Sequence, residues 1–203
     1  MSFQAWIIFT AFWALFVTTP GPNAVNCIQN GMTHGFARSL WGVAAILTQA
    51  SLFLLGSALG VTALIIASPT VFFWVQMTGA VVLIWLGLRG WLNAAKPLVA
   101  TASAGSLYGR ALAIATFNAK SVAGYLAAFS QFVEPGVPIW AQMQVIVPTA
   151  LSLTALSYTG YTALGAGLGK LALGAVMNLW VRRTLAVCFI LYGVLLGMAQ
   201  LPT

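Results

Sequence analysis

Residues 4–29 read QAWIIFTAFWALFVTTPGPNAVNCIQ, an apolar run long enough to cross a bilayer but interrupted by Thr19-Pro20-Gly21-Pro22-Asn23. A proline inside a helix has no N–H to give, and its ring crowds the carbonyl four residues back, so Pro20 and Pro22 strand the carbonyls of Phe16 and Thr18. Gly21 loosens the same turn. In hydrocarbon a stranded carbonyl is costly unless protein or trapped water answers it, so the break predicts a polar cavity beside it. Asn23 is placed to cap a second half-helix, whose free N–H groups and positive dipole end attract a carboxylate. The carbonyls of the first half-helix suit a cation, so one backbone feature offers both poles of a zwitterion. A purely structural proline kink is the competing reading.

Composition sets the class. The chain has 203 residues, 61% of them hydrophobic and 4% charged, with a mean hydropathy of +0.99. A soluble domain carries about a quarter charged residues, so this is an all-α integral membrane protein. Eight Lys and Arg against one acid give a net charge of +7. The bases sit at helix ends, where they orient a membrane chain, and no nucleic-acid partner is implied. The first residues lack the basic region of a signal peptide, and the apolar run outlasts a signal core, so the segment reads as a mature helix.

Apolar runs of spanning length cover 4–29, 40–67, 70–92, 110–132, 140–168 and 179–201, which predicts six transmembrane helices in one domain, 1–203. Arg38, then Arg89, Lys96 and Arg110, then Lys170, Arg182 and Arg183 fall at the first, third and fifth connections. The second and fourth hold no base, and the fourth holds the only acid, Glu134. The positive-inside rule therefore puts both termini outside the cytoplasm. Trp6, Trp41, Trp74, Trp91, Trp140 and Trp180 lie near span ends, as interfacial belts require.

A repeat appears at an offset of 106 residues. Trp74, Val75, Thr78, Ala80, Val81, Ile84 and Gly87 recur as Trp180, Val181, Thr184, Ala186, Val187, Ile190 and Gly193. The matched segments are the third and sixth spans. Three spans per half is an odd number, so the halves, about 4–97 and 106–203, are expected to be inverted relative to each other. The repeat then sets Phe117-Asn118-Ala119-Lys120 opposite Pro20–Asn23.

Lys120 lies ten residues beyond Arg110 and fourteen before Glu134, which places it near the bilayer midplane with no intramembrane acid to pair it. A charge there demands a partner or a wet cavity. Its partner is a carbonyl end, an anionic substrate group, or nothing, with the amine neutral; the competing reading has Lys120 satisfying the carbonyls stranded by Pro20. Gln49, Gln76, Gln131, Ser152, Thr154, Ser157, Tyr158, Thr159 and Tyr161 are the other polar groups inside spans, and most read as interhelical glue. Gln49 and Tyr158 lie deepest and join the candidate lining residues. Gly56-x-x-x-Gly60, Gly165-x-x-x-Gly169 and Gly193-x-x-x-Gly197 have the spacing of close helix contacts, within the chain or between the copies of a homodimer.

Pro20-Gly21-Pro22-Asn23, then Gly31 to Gly42 with His34-Gly35 and Arg38, and Asn118-x-Lys120 followed by Gln131-Phe132 together resemble the lysine-exporter (LysE/RhtB) family of amino-acid efflux proteins over nearly the whole chain. Where the family usually has Asn-Pro-Lys and Pro-Gln-Phe, this chain has Asn118-Ala119-Lys120 and Ser130-Gln131-Phe132. Without those prolines the fourth span is expected to be less broken than the resemblance implies. The resemblance implies export of amino acids or close relatives across the bacterial inner membrane, coupled to the proton-motive force.

On this reading the chain is a secondary exporter, not an enzyme, with no cofactor. Its candidate substrate-binding residues are Pro20, Gly21, Pro22, Asn23, Gln49, Asn118, Lys120 and Tyr158. No acid faces the core to meet a basic side chain, which favours small neutral amino acids. The runner-up is a membrane thiol-redox carrier using Cys27 and Cys188, although the two are not equivalent in the repeat. Export of another small metabolite or a metal ion ranks lower, since His, Cys and carboxylates do not cluster.

Overall fold

A computed structural model describes residues 1–67, 69–96, 106–134 and 136–199. Ser68, Pro135, most of the third connection (97–105), the last residues of the sixth span and the side chain of Gln76 lie outside the described residues. Every regular element among the described residues is a helix: α1 (Phe3–Thr18), α2 (Pro22–His34), α3 (Phe36–Ala67), α4 (Pro69–Leu92), α5 (Leu107–Phe117), α6 (Ala119–Phe132), α7 (Ile139–Leu168), α8 (Lys170–Val176) and α9 (Leu179–Ala199).

Among the described residues, three stretches are single helices apolar and long enough to cross a membrane: Phe36–Gly60 of α3, Ile139–Leu168 of α7 and Leu179–Met198 of α9. The pair α1 and α2 meets the same test as one span bent by 56°. The third and fourth expected spans contribute shorter apolar helices, Met77–Leu92 and Leu107–Phe117.

Both broken spans have local causes. Helix α1 is capped by the Ser2 hydroxyl, which accepts from Ala5 N at 3.2 Å, and ends where Pro20 removes the next donor. Helix α2 restarts with Gly21 as its N-cap and Pro22 in its first turn; Asn23 sits inside the helix, so its expected role as the cap is corrected. A proline at the first helical position needs no N–H partner, which is why the helix restarts there. The fourth expected span is also interrupted, between α5 and α6, although both of the prolines usual there are missing. Asn118 takes an extended conformation (φ −73°, ψ 108°), and its side-chain oxygen accepts from Lys120 N at 3.1 Å. A capping asparagine offers the backbone an alternative to the helical bond, so no proline is needed.

The core is aromatic. Phe9, Phe12, Trp13 and Phe16 of α1 are buried against Tyr125 and Phe132 of α6, Met143, Ile146 and Ala150 of α7 and Phe189 of α9. The indole of Trp13 donates to Ala150 O at 3.0 Å and to Thr154 Oγ1 at 3.1 Å, which fixes α1 to α7. Near the N-terminal end of α1, Ser2 N and Oγ donate to Glu134 Oε1 at 3.1 and 3.2 Å. Gln142 clamps the backbone there, accepting from Glu134 N at 2.9 Å and donating to Glu134 O at 3.0 Å.

Helices α4 and α9 cross at glycines. A Cβ added to Gly87 would fall 2.7 Å from Ala186 O and 2.9 Å from Ile190 N; one added to Gly193 would fall 2.8 Å from Ala80 O and 2.9 Å from Ile84 N. These residues are those the 106-residue offset pairs, and they exchange places across the contact. The exchange does not extend to every helix, since α2 lies on α7 whereas α6 lies on α4. Gly165 meets the Ile28 backbone and Gly31 the Thr162 carbonyl, so α2 and α7 also touch through glycine. A Cβ on Gly56 or Gly60 meets nothing within 4 Å among the described residues, and Gly169 (φ 53°) forms the turn from α7 to α8, so none of the three makes a close helix contact among those residues. A positive φ of that size is open to glycine at no steric cost.

Candidate functional site

The last carbonyls of an α-helix have no partner inside the helix. At the end of α1 every one of them is met. Leu15 O accepts from Thr19 N at 3.0 Å, and Phe16 O accepts from Lys120 Nζ at 2.7 Å. Val17 O accepts from Ser157 Oγ at 3.0 Å, Thr18 O from the Tyr161 hydroxyl, and Thr19 O from Lys120 Nζ at 2.6 Å. Side chains of α6 and α7 thus replace the hydrogen bonds that the prolines removed. The amine of Lys120 lies at the negative end of the α1 helix dipole. It also lies 5.0 Å from the centre of the Phe16 ring. That ring occupies the space beside Gly124, where any Cβ would collide with it.

A cavity of about 480 Å³ opens beside this junction. Thr19, Pro20, Gly21 and Pro22 form one wall, and Phe117, Asn118 and Lys120 of the second break form another. The third is the α4 and α9 pair, through Leu86, Arg89, Gly90 and Asn93 of α4, Lys96 just beyond it, and Arg182, Ala186 and Phe189 of α9. Four basic groups and no acid line this space. The guanidinium of Arg182 donates to Lys96 O at 2.6 Å and Asn93 O at 2.9 Å, and that of Arg89 stacks 5.0 Å from the Trp85 ring. Several positive charges along a low-dielectric wall raise the local concentration of anions. The N-terminus of α2, with no side chain capping it, begins in the same corner at Gly21 and Pro22.

Of the candidate residues, Pro20, Gly21, Pro22, Asn118 and Lys120 share this cavity. Asn23, Gln49 and Tyr158 do not line it. They are buried, with Asn23 and Tyr158 close to each other, beside a hydrophobic cluster that includes Ala24, Val43 and Ile46. Both cysteines are free; Cys27 is enclosed in that cluster and Cys188 sits on α9. The sequence reading missed Asn93, and it missed Arg89, Lys96 and Arg182 as lining residues because it spent those bases on membrane orientation. The spacing of Leu86, Arg89, Gly90 and Asn93, three to four residues apart, was the available signal of one shared helix face.

The family profile described as LysE type translocator matches residues 14–200. An uncharacterized membrane protein of Vibrio cholerae is 31% identical over 175 residues, which is 84% of this chain and 85% of that protein. The homoserine/homoserine lactone efflux protein of Salmonella typhimurium is 27% identical over 98% of this chain and 99% of its own. The leucine efflux protein of an Enterobacter species is 25% identical over 71% of each. No solved structure matches the chain.

Proposed function

The chain belongs to the LysE type translocator family, and from that premise we propose that it is a secondary exporter of small neutral amino acids, driven by the proton-motive force. The observation that carries this reading is the cavity where both broken spans meet, walled by Lys120, Arg89, Lys96 and Arg182 without an acid. A carboxylate gains from those bases and from the N-terminus of α2, whereas a second positive charge on the substrate side chain meets only repulsion. The relatives named for homoserine and leucine efflux act on compounds with uncharged side chains, which supports the same preference.

Lys120 plays two parts in this mechanism. It clamps the end of α1 to α6 through Phe16 O and Thr19 O. A substrate carboxylate in the cavity draws the amine away, and the substrate ammonium takes over the carbonyls it leaves. Occupancy therefore loosens the junction between the two halves, whose rocking as an inverted repeat of six spans moves the cavity from one side to the other. The exchange of Gly87 and Gly193 environments supports that repeat. The basic rim faces the cytoplasm under the positive-inside rule, which puts the cavity in its inward-open form and both termini outside.

Export from loaded proteoliposomes or from an expressing bacterium tests the proposal. Homoserine, threonine or leucine efflux that depends on a proton gradient and is lost in Lys120→Met is the expected result. Good export of lysine or arginine with none of neutral amino acids overturns the substrate assignment.

A further inference from the structure

A second set of buried polar groups lies outside the cavity, along α2. In the first turn of α5 the Arg110 guanidinium donates through Nη2 to Asn30 Oδ1. That bond fixes the Asn30 amide, so its other atom, Nδ2, is a donor, and it is enclosed without an acceptor. Arg110 Nε is enclosed without an acceptor as well, both absences being among the described residues. In the planar guanidinium fork Nε–H and one Nη2–H lie on the same edge, so the unpartnered donor of Arg110 adjoins the nitrogen that is bonded to Asn30. Asn26, one turn back on α2, has its Nδ2 unpartnered too. Gly42 of α3 packs directly against them: a Cβ there would come within 3.2 Å of Asn30 Nδ2 and 3.7 Å of Ala111 Cβ, so only glycine lets α3 approach this closely.

The charge is unbalanced. The one acid of the chain, Glu134, is bonded to Ser2 at the far end of the α5 and α6 pair. A guanidinium with an enclosed, unanswered N–H is unfavourable unless an anion or its equivalent is present. The geometry points to a binding site for a small singly charged anion, a halide or a carboxylate, held by Arg110 Nε and Asn30 Nδ2 between α2, α3 and α5. None of these residues lines the cavity at the two breaks, so this site is separate from the proposed transport site. Bound there, the anion ties the second half of the first span to the first half of the fourth.

Thermal unfolding of the purified full-length protein tests this at constant ionic strength, with a bulky sulfonate buffer replaced stepwise by chloride or by acetate. The wild-type Tm is expected to rise saturably with at least one of them, as a ligand of the folded state requires. A response to chloride alone identifies a halide site, and a response to acetate a carboxylate site. Asn30→Asp supplies an internal carboxylate, so it is expected to unfold higher without added anion and to lose the response. Arg110→Gln gives a second reading should Asn30→Asp not fold, and it too is expected to lose the response. A wild-type Tm equal in all the anions overturns the site, as does an undiminished response in either variant.

Discussion

Lys120 Nζ lies 2.6 Å from the carbonyl oxygen of Thr19, and through that contact one side chain of the fourth span closes the gap that two prolines open in the first. A lysine near the middle of a span is expensive unless it is paired, and here its partners are backbone carbonyls that are themselves expensive when bare. Each cost cancels the other, so under the proposed mechanism stability and transport would meet at the same atom.

Lys120→Met should therefore damage both. It strands Phe16 O and Thr19 O, each at a cost of about 1–3 kcal/mol. Lys120→Arg keeps a cation and donors but carries them on a larger, planar group. Unfolding midpoints in detergent are expected to fall clearly for Met and less for Arg, while efflux falls in both. Full export by Lys120→Met would remove the amine from the mechanism.

Ser157→Ala and Tyr161→Phe each remove one donor to the same helix end, at Val17 O and Thr18 O. Interhelical hydrogen bonds in membranes are worth about 0.6 to 2 kcal/mol, so each substitution should lower stability by that order. The two act on adjacent carbonyls, and their effects should not sum. A double-mutant cycle with Lys120→Met measures the coupling; strict additivity would show that the helix end is not one unit.

At the α4 and α9 crossing the expectation is symmetry. Gly87→Ala and Gly193→Ala each push a methyl group into backbone atoms at 2.7–2.9 Å, which cannot swing aside as a side-chain tip can. Both should be destabilising by about 1–3 kcal/mol, and by similar amounts. Gly56→Ala and Gly60→Ala meet nothing within 4 Å among the described residues and should be neutral or slightly stabilising through helix propensity. Unfolding of the four variants side by side checks this, and a harmless Gly193→Ala would contradict the close approach.

Much of this was legible in the residues. Pro20 and Pro22 announce a broken helix because proline removes a donor at a known position, and Lys120 announces a partner because a charge in hydrocarbon must have one. The seven repeated positions named the crossing glycines because close packing constrains both partners alike. What stayed hidden depends on which neighbour a side chain meets. Asn118 breaks the fourth span through one hydrogen bond to its own backbone, a role that an asparagine in a sequence does not declare. Asn23 resembles a cap, yet Pro22 already occupies the first helical position, and the register moves the cap to Gly21. Arg89, Lys96 and Arg182 satisfy membrane orientation wherever they point along the helix end; only the crossing of α4 and α9 turns them toward one space.

That space also sets the strongest test of specificity. Asn93 lies on the α4 wall among Arg89, Lys96 and Arg182, and its side-chain nitrogen donates to Arg89 O at 2.8 Å. Asn93→Asp removes that donor and places a carboxylate among the bases with almost no change in volume. Opposite charges about 4–6 Å apart compensate each other, so the cavity loses part of its pull on a substrate carboxylate and gains a partner for a basic side chain. Export of homoserine or leucine is expected to weaken, chiefly as a higher KM, while export of lysine rises relative to it. Because the residue sits at the rim and its new charge is answered by Arg89 and Lys96, the fold should tolerate the change, and an unfolding curve close to that of the wild type would establish this. An Asn93→Asp protein that folds normally and keeps the original ratio of neutral to basic export would show that the wall of bases does not select the substrate.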